Sequence, residues 1–202
     1  MIKIISRTLS AVAAVACITS AQAGVITFDD LDPGTSATAL PEGYGGFSWS
    51  RNGSAPIVAY SREHLESNSG FTTGVTSGSN AIFNAYGVGP AIFDWLGQDS
   101  TFDFISANFT SGWNDQDIMF AGWRDNQQVY MSQRFSIGTD VPLNIRLDWR
   151  NIDRLVIYSE NQNDYQWVMD DFSYNVRVPE PATALLFGAT LLGMSRLRRK
   201  NS

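Results

Sequence analysis

Five carboxylates in two short runs are the first residues whose spacing suggests chemistry. Asp29, Asp30 and Asp32 follow an apolar stretch near the start of the chain, and Asp170 and Asp171 interrupt another near its end. In a β-sandwich whose first and last strands lie side by side, Asp30, Asp32, Asp170 and Asp171 can converge on one structural Ca²⁺, a hard cation served by about six to eight oxygens. Period-2 alternation sends Asp170 and Asp171 to opposite faces, so at most one of that pair reaches a given site. The competing reading makes all of them strand-end and turn carboxylates, with Asp30-Leu31-Asp32-Pro33-Gly34 as an Asx turn.

A second kind of chemistry is suggested by aromatic rings set beside amides and acids near turns. Trp113 and Asn114 in Gly112-Trp113-Asn114-Asp115, and Tyr165 and Trp167 in Asn163-Asp164-Tyr165-Gln166-Trp167, fit a sugar site. There a ring packs against the apolar face of a pyranose while amides and carboxylates bond its hydroxyls. Against this stands the ordinary fate of tryptophan and tyrosine, which is core packing.

Support for catalysis is thin. The single histidine, His64, lies in the polar run Arg62-Glu63-His64-Leu65-Glu66, and the chain has no Gly-x-Ser-x-Gly elbow, His-Glu-x-x-His pair or glycine-rich phosphate loop. Two-carboxylate glycan hydrolysis stays open, because 19 acids in the body allow many pairs. The expectation is a protein that is not an enzyme.

The elements that must position these residues are strands. Runs of β-branched and aromatic residues alternate with Gly, Asn, Asp and Ser turns. They predict strands at Val25–Asp29, Phe47–Ser50, Ile57–Tyr60, Ala81–Ala85, Ala91–Trp95, Thr101–Phe109, Asp117–Arg124, Gln127–Ile137, Leu143–Asp148, Leu155–Ser159 and Tyr165–Val176. The clearest hairpin turns at Asp125-Asn126, and the one place for a helical turn is Ser61–Gly70. The fold class expected is all-β, an antiparallel β-sandwich of jelly-roll type. All six tryptophans fall in this part of the chain, most of them expected in the core and one or two at the surface.

The two ends read as addresses. Residues 1–23 carry Lys3 and Arg7, an apolar stretch from Leu9 to Ile18, and Ala21-Gln22-Ala23, the small-x-small pattern of signal peptidase cleavage, so the mature chain is expected to start at Gly24. That leader contains Cys17, the only cysteine, so its removal leaves no thiol for a disulfide or a metal. Residues 24–178 form the expected sandwich domain, with eight arginines against 19 acids and a net charge near −11. Such a surface argues against nucleic acid and anionic lipid as partners.

Residues 179–202 hold Pro179-Glu180-Pro181, an apolar run from Ala182 to Met194, and the basic cluster Arg196, Arg198, Arg199 and Lys200. The prolines keep the chain extended and accessible. The apolar run has 13 residues, short of the roughly 20 a stable transmembrane helix needs. The basic cluster holds its own side in the cytoplasm.

This three-part tail resembles the PEP-CTERM sorting signal recognised by exosortases of Gram-negative bacteria. The resemblance implies an intermediate held at the inner membrane by the short hydrophobic helix and cleavage near Pro179-Glu180-Pro181. It further implies delivery to the cell surface or extracellular matrix, commonly alongside exopolysaccharide. The short runs Ile26–Leu31, Gly43–Trp49, Phe102–Phe109 and Trp167–Tyr174 are similar to exported bacterial proteins with galactose-binding-like, jelly-roll bodies, many of which bind carbohydrate. The function expected is therefore a non-catalytic surface or matrix protein that interacts with exopolysaccharide. The alternatives are a purely structural surface protein and a glycan hydrolase or lyase.

Overall fold

Thirteen strands carry the chain through two sheets in the computed structural model, which describes residues 20–51, 57–65, 69–87, 89–97, 101–159 and 165–178. They are β1 (Ser20–Ile26), β2 (Thr38–Ala39), β3 (Phe47–Arg51), β4 (Ile57–Ser61), β5 (Asn80–Asn84), β6 (Ala91–Trp95), β7 (Phe102–Ser111), β8 (Gln116–Arg124), β9 (Gln127–Met131), β10 (Phe135–Ile137), β11 (Leu143–Ile152), β12 (Arg154–Tyr158) and β13 (Trp167–Val178). One four-residue helix, α1 (Gly70–Thr73), lies between β4 and β5. The first sheet runs β11-β7-β13-β5-β4-β2, with β1 also paired to β13; the second runs β10-β8-β12-β6-β3, with β9 also paired to β8. From β5 onward the chain crosses repeatedly between the sheets, and the result is the expected antiparallel sandwich. The sandwich is the unit Ala21–Arg177. Pro179, Glu180, Pro181, Arg196, Arg198, Arg199 and Lys200 lie outside the described residues.

The core is aromatic because alternate positions of facing strands carry rings. Phe47, Phe93, Phe102, Phe104, Phe120 and Phe172 are each at most 1% exposed, and burying each such side chain contributes about 1.5–3 kcal/mol. Phe47 is the hub, with ring centroids 4.9 Å from both Trp95 and Phe102 and 5.3 Å from both Trp49 and Phe172. Trp167 sits fully buried between Phe93 and Phe109. Of the six tryptophans, Trp113 alone is among the exposed residues.

The expected strand Leu143–Asp148 runs on to Ile152, and three further strand expectations need correction, each for a local reason. The first strand ends at Ile26 rather than Asp29, since Phe28 adopts φ 63 and cannot extend a pleat. The predicted strand Gln127–Ile137 divides into β9 and β10. At the break the Ser132 hydroxyl, in place of a backbone carbonyl, accepts the Phe120 N–H at 2.9 Å. The last strand starts at Trp167 rather than Tyr165. The Asp125-Asn126 turn is as expected, with φ 50 and 60, the two left-handed residues of a type I′ hairpin.

Candidate functional site

The outer face of the first sheet carries a second, smaller cluster that the main core does not reach. Alternation turns Tyr60 of β4, Ala81 and Phe83 of β5 and Val168 of β13 outward, and Phe71 and Val75 of the α1 segment cover them. Tyr60, Phe71 and Phe83 form a triangle of edge-on rings with centroids 5.0 to 5.6 Å apart. The Tyr60 hydroxyl donates to the Phe71 carbonyl at 2.6 Å. Burial, and then the neighbouring Asp170 charge, push that phenol well above its usual pKa, so it stays a donor.

Over this triangle opens a groove of about 620 Å³. Trp113 stands at its rim, 58% exposed, with its ring 5.3 Å from Phe71. The opposite wall is the segment Gly34, Thr35, Ser36 and Ala37, and His64, Leu65, Ser69 and Gln166 complete the lining. Gln166 is fixed through its backbone, whose carbonyl accepts the Gly112 N–H at 2.7 Å and the Gln116 side-chain amide at 3.1 Å. Its side-chain Oε1 is itself buried and has no protein partner. Such a groove offers a flat ring, an apolar floor and several small hydroxyl and amide groups, the equipment for holding a polyhydroxylated ring.

The α1 segment lies flat because two glycines permit it. A Cβ on Gly70 would sit 1.5 Å from the Ser111 carbonyl oxygen, and one on Gly74 2.3 Å from Thr110 Oγ1. Gly70→Ala is therefore expected to destabilise the protein by about 1–3 kcal/mol through overpacking. It should also lift Phe71 away from Tyr60 and Phe83, which urea denaturation and near-UV circular dichroism will detect.

Of the carboxylates expected to hold calcium, Asp170 and Asp171 bond the loop that follows α1. Asp170 is fully buried and its Oδ2 accepts the N–H groups of Thr76 and Ser77, each at 2.8 Å. Asp29 accepts the N–H groups of Ser79 and Asn80 at 2.8 and 3.1 Å. Asp171 accepts the Thr76 hydroxyl at 2.7 Å and the Asn108 amide at 2.8 Å.

Alternation fails at Asp171. That residue takes φ 52 at a register shift in β13, so Asp170 and Asp171 both reach Thr76 Oγ1 rather than opposite faces. Asp30 accepts the Tyr44 hydroxyl at 2.5 Å. Asp32 accepts the Gly34 N–H at 3.0 Å, the Asx turn of the competing reading, and thereby shapes the groove wall. The first and last strands do lie side by side, yet among the described residues no three His, Cys, Asp or Glu side chains come together as metal ligands.

Of the four sugar-site candidates, the groove takes Trp113. Asn114 is exposed beside it, its carbonyl accepting the Ser111 hydroxyl. Tyr165 is half-buried and lines no part of the groove. Trp167 is corrected outright: it faces the core with no exposed surface, so it has no ring face to offer. Gln166, the residue between them, points the other way, and the strand's parity was the signal that separates it from Trp167. Tyr60, Phe71, Phe83 and His64 join it only through tertiary packing. Ala21 and Ala23, the expected leader cleavage residues, fall within β1.

Fold and groove together define an antiparallel β-sandwich with a ligand-sized aromatic groove on one outer face. Residues 177–200 match the PEP-CTERM protein-sorting motif, so the chain carries a C-terminal sorting signal, the address of an exported protein. No curated protein matches the chain. Among solved structures it is similar to the CBM22-1 xylan-binding domain of Paenibacillus barcinonensis Xyn10C, at 12% identity and TM-score 0.45 over 82% of this chain and 99% of that one. It is similar also to a family 16 carbohydrate binding module-2, at 10% identity and TM-score 0.37 over 62% and 89% of the two chains. A third is TmCBM61 in complex with β-1,4-galactotriose, at 12% identity and TM-score 0.33 over 68% and 95%. Likeness at this level is one of general shape.

Proposed function

We propose that this is a non-catalytic protein, sorted by an exosortase to the cell surface or extracellular matrix, that holds exopolysaccharide in the groove under Trp113. The observation that carries the binding reading is the 58%-exposed indole above a floor of three aromatic rings. A large ring left in water costs hydrophobic stabilisation that a stacked pyranose restores. Among the described residues the groove wall contains no carboxylate.

The test is titration of the protein with polysaccharides, followed by tryptophan fluorescence. Trp113→Ala is expected to weaken binding at least about tenfold, or about 1.4 kcal/mol. Its unfolding midpoint should stay unchanged, since the ring is mostly exposed. Equal affinity in the variant would overturn the reading in favour of a purely structural surface protein.

The sorting half of the proposal assigns cleavage after Ala23 to signal peptidase and processing near Pro179-Glu180-Pro181 to the exosortase. Replacing all three of these residues with alanine should leave a heavier precursor in the membrane fraction, readable by cell fractionation and mass spectrometry. Normal release of that variant would remove the motif from the mechanism.

A further inference from the structure

Which glycans suit the groove follows from where the protein keeps its charges. The described residues that line it include one ordinarily titratable side chain besides the buried Tyr60 phenol, and that is His64; none is Asp, Glu, Lys or Arg. Three arginines are engaged elsewhere. Arg62, adjacent in sequence, turns its guanidinium to the Val75 carbonyl beneath the α1 segment. Arg154 pairs with Asp94 at 2.5 Å across the second sheet, and Arg146 pairs with Asp148 at 2.8 Å on β11. The described residues of the groove therefore present no fixed cation to a carboxylate or sulfate group, while the body around it carries a net charge near −11.

A polyanion approaching such a body is repelled over the screening length of about 10 Å at 0.1 M salt, and nothing inside the groove offsets the loss of its hydration. An uncharged chain meets neither cost. What the wall offers is suited to it: the Trp113 ring face and the Ser36, Thr35 and Ser69 hydroxyls.

We infer that the groove selects neutral glycan chains and rejects uronate-bearing or sulfated ones. The inference rests on the sugar-binding reading above and adds the charge class of the ligand.

The experiment titrates the purified full chain, by tryptophan fluorescence, with neutral polymers (dextran, mannan, galactan, mixed-linkage glucan) and with polyanions (alginate, polygalacturonate, a sulfated galactan). Two salt concentrations are used, about 0.1 M and about 1 M, where the screening length falls to about 3 Å. The expected result is saturable binding of at least one neutral polymer. Its affinity should change less than about twofold with salt and be lost in Trp113→Ala, and no polyanion should bind at 0.1 M. A polyanion that binds more tightly than every neutral polymer, and weakens as salt rises, overturns the inference while leaving sugar binding intact. Failure of both classes, with the protein folded by circular dichroism, overturns the sugar-binding reading itself. Ser36→Lys, at an exposed position on the groove wall, supplies the missing cation and is expected to raise polyanion affinity at least about tenfold, or about 1.4 kcal/mol. No gain in that variant counts against charge as the selecting property.

Discussion

Phe47→Ala is expected to lower the unfolding free energy by about 3–5 kcal/mol, the range for removing a buried phenylalanine ring. Phe47 has no exposed surface and touches the rings of Trp49, Trp95, Phe102, Phe172 and Tyr174, drawn from both sheets. Five large neighbours, each braced by others, cannot collapse into the space a lost ring leaves, so the cavity term adds to the transfer term. With total stability of domains at about 5–15 kcal/mol, that loss places the variant near the edge of folding. Urea denaturation monitored by near-UV circular dichroism measures it. A loss under about 1 kcal/mol would mean that the core repacks around the gap, contrary to the interlocked geometry.

Asp170→Ala should cost a comparable amount for a different reason. Two backbone N–H groups, of Thr76 and Ser77, and that of Asp171 at 2.7 Å, lose their acceptor in a buried setting, at about 1–3 kcal/mol for each donor left unsatisfied. The carboxyl also links stability to pH. Burial, against the opposing pull of the backbone N–H groups, raises its pKa from 3.8 to about 6. A raised folded-state value means that the native protein binds a proton more readily than the unfolded chain. The stability this contributes is fully present below 3.8 and is lost as the pH rises through about 6. The protonated carboxyl can donate to Thr76 Oγ1, which lies 3.2 Å away. Asp170→Asn removes the titration, and the wild-type thermal midpoint minus the variant's, taken with its sign, should fall as pH rises across that window. A difference that is flat or grows with pH would contradict it.

Legibility from sequence followed the range of the interaction. β3, β4, β6 and β8 lie within a residue of the expected boundaries because alternation and hairpin chemistry are local. The two-residue β2 was invisible, since Thr38 and Ala39 have no pattern of their own and become a strand only through Ala59 and Val58. Trp113 could be nominated from its turn. The floor beneath it could not, because Phe71 and Phe83 meet only when α1 folds over β5. The aspartates show the sharper limit. Their clustering was plain, but which backbone N–H groups a carboxylate serves depended on a left-handed residue at position 171 and on a loop 94 positions away in sequence.

The place of β13 has a consequence for how the protein is made. This last strand of the sandwich is also an inner one, bonded to β7 on one side and to β5 and β1 on the other. A chain emerging from a translocation channel amino end first therefore cannot close the first sheet until residues up to 178 have passed through. Non-local pairings of this kind form late, after the entropy of closing long loops has been met. Completion of the body thus coincides with arrival of the sorting signal that directly follows it. A product truncated before Trp167 would lack the middle of its sheet and the sorting signal together, leaving a chain that is both unfolded and unaddressed.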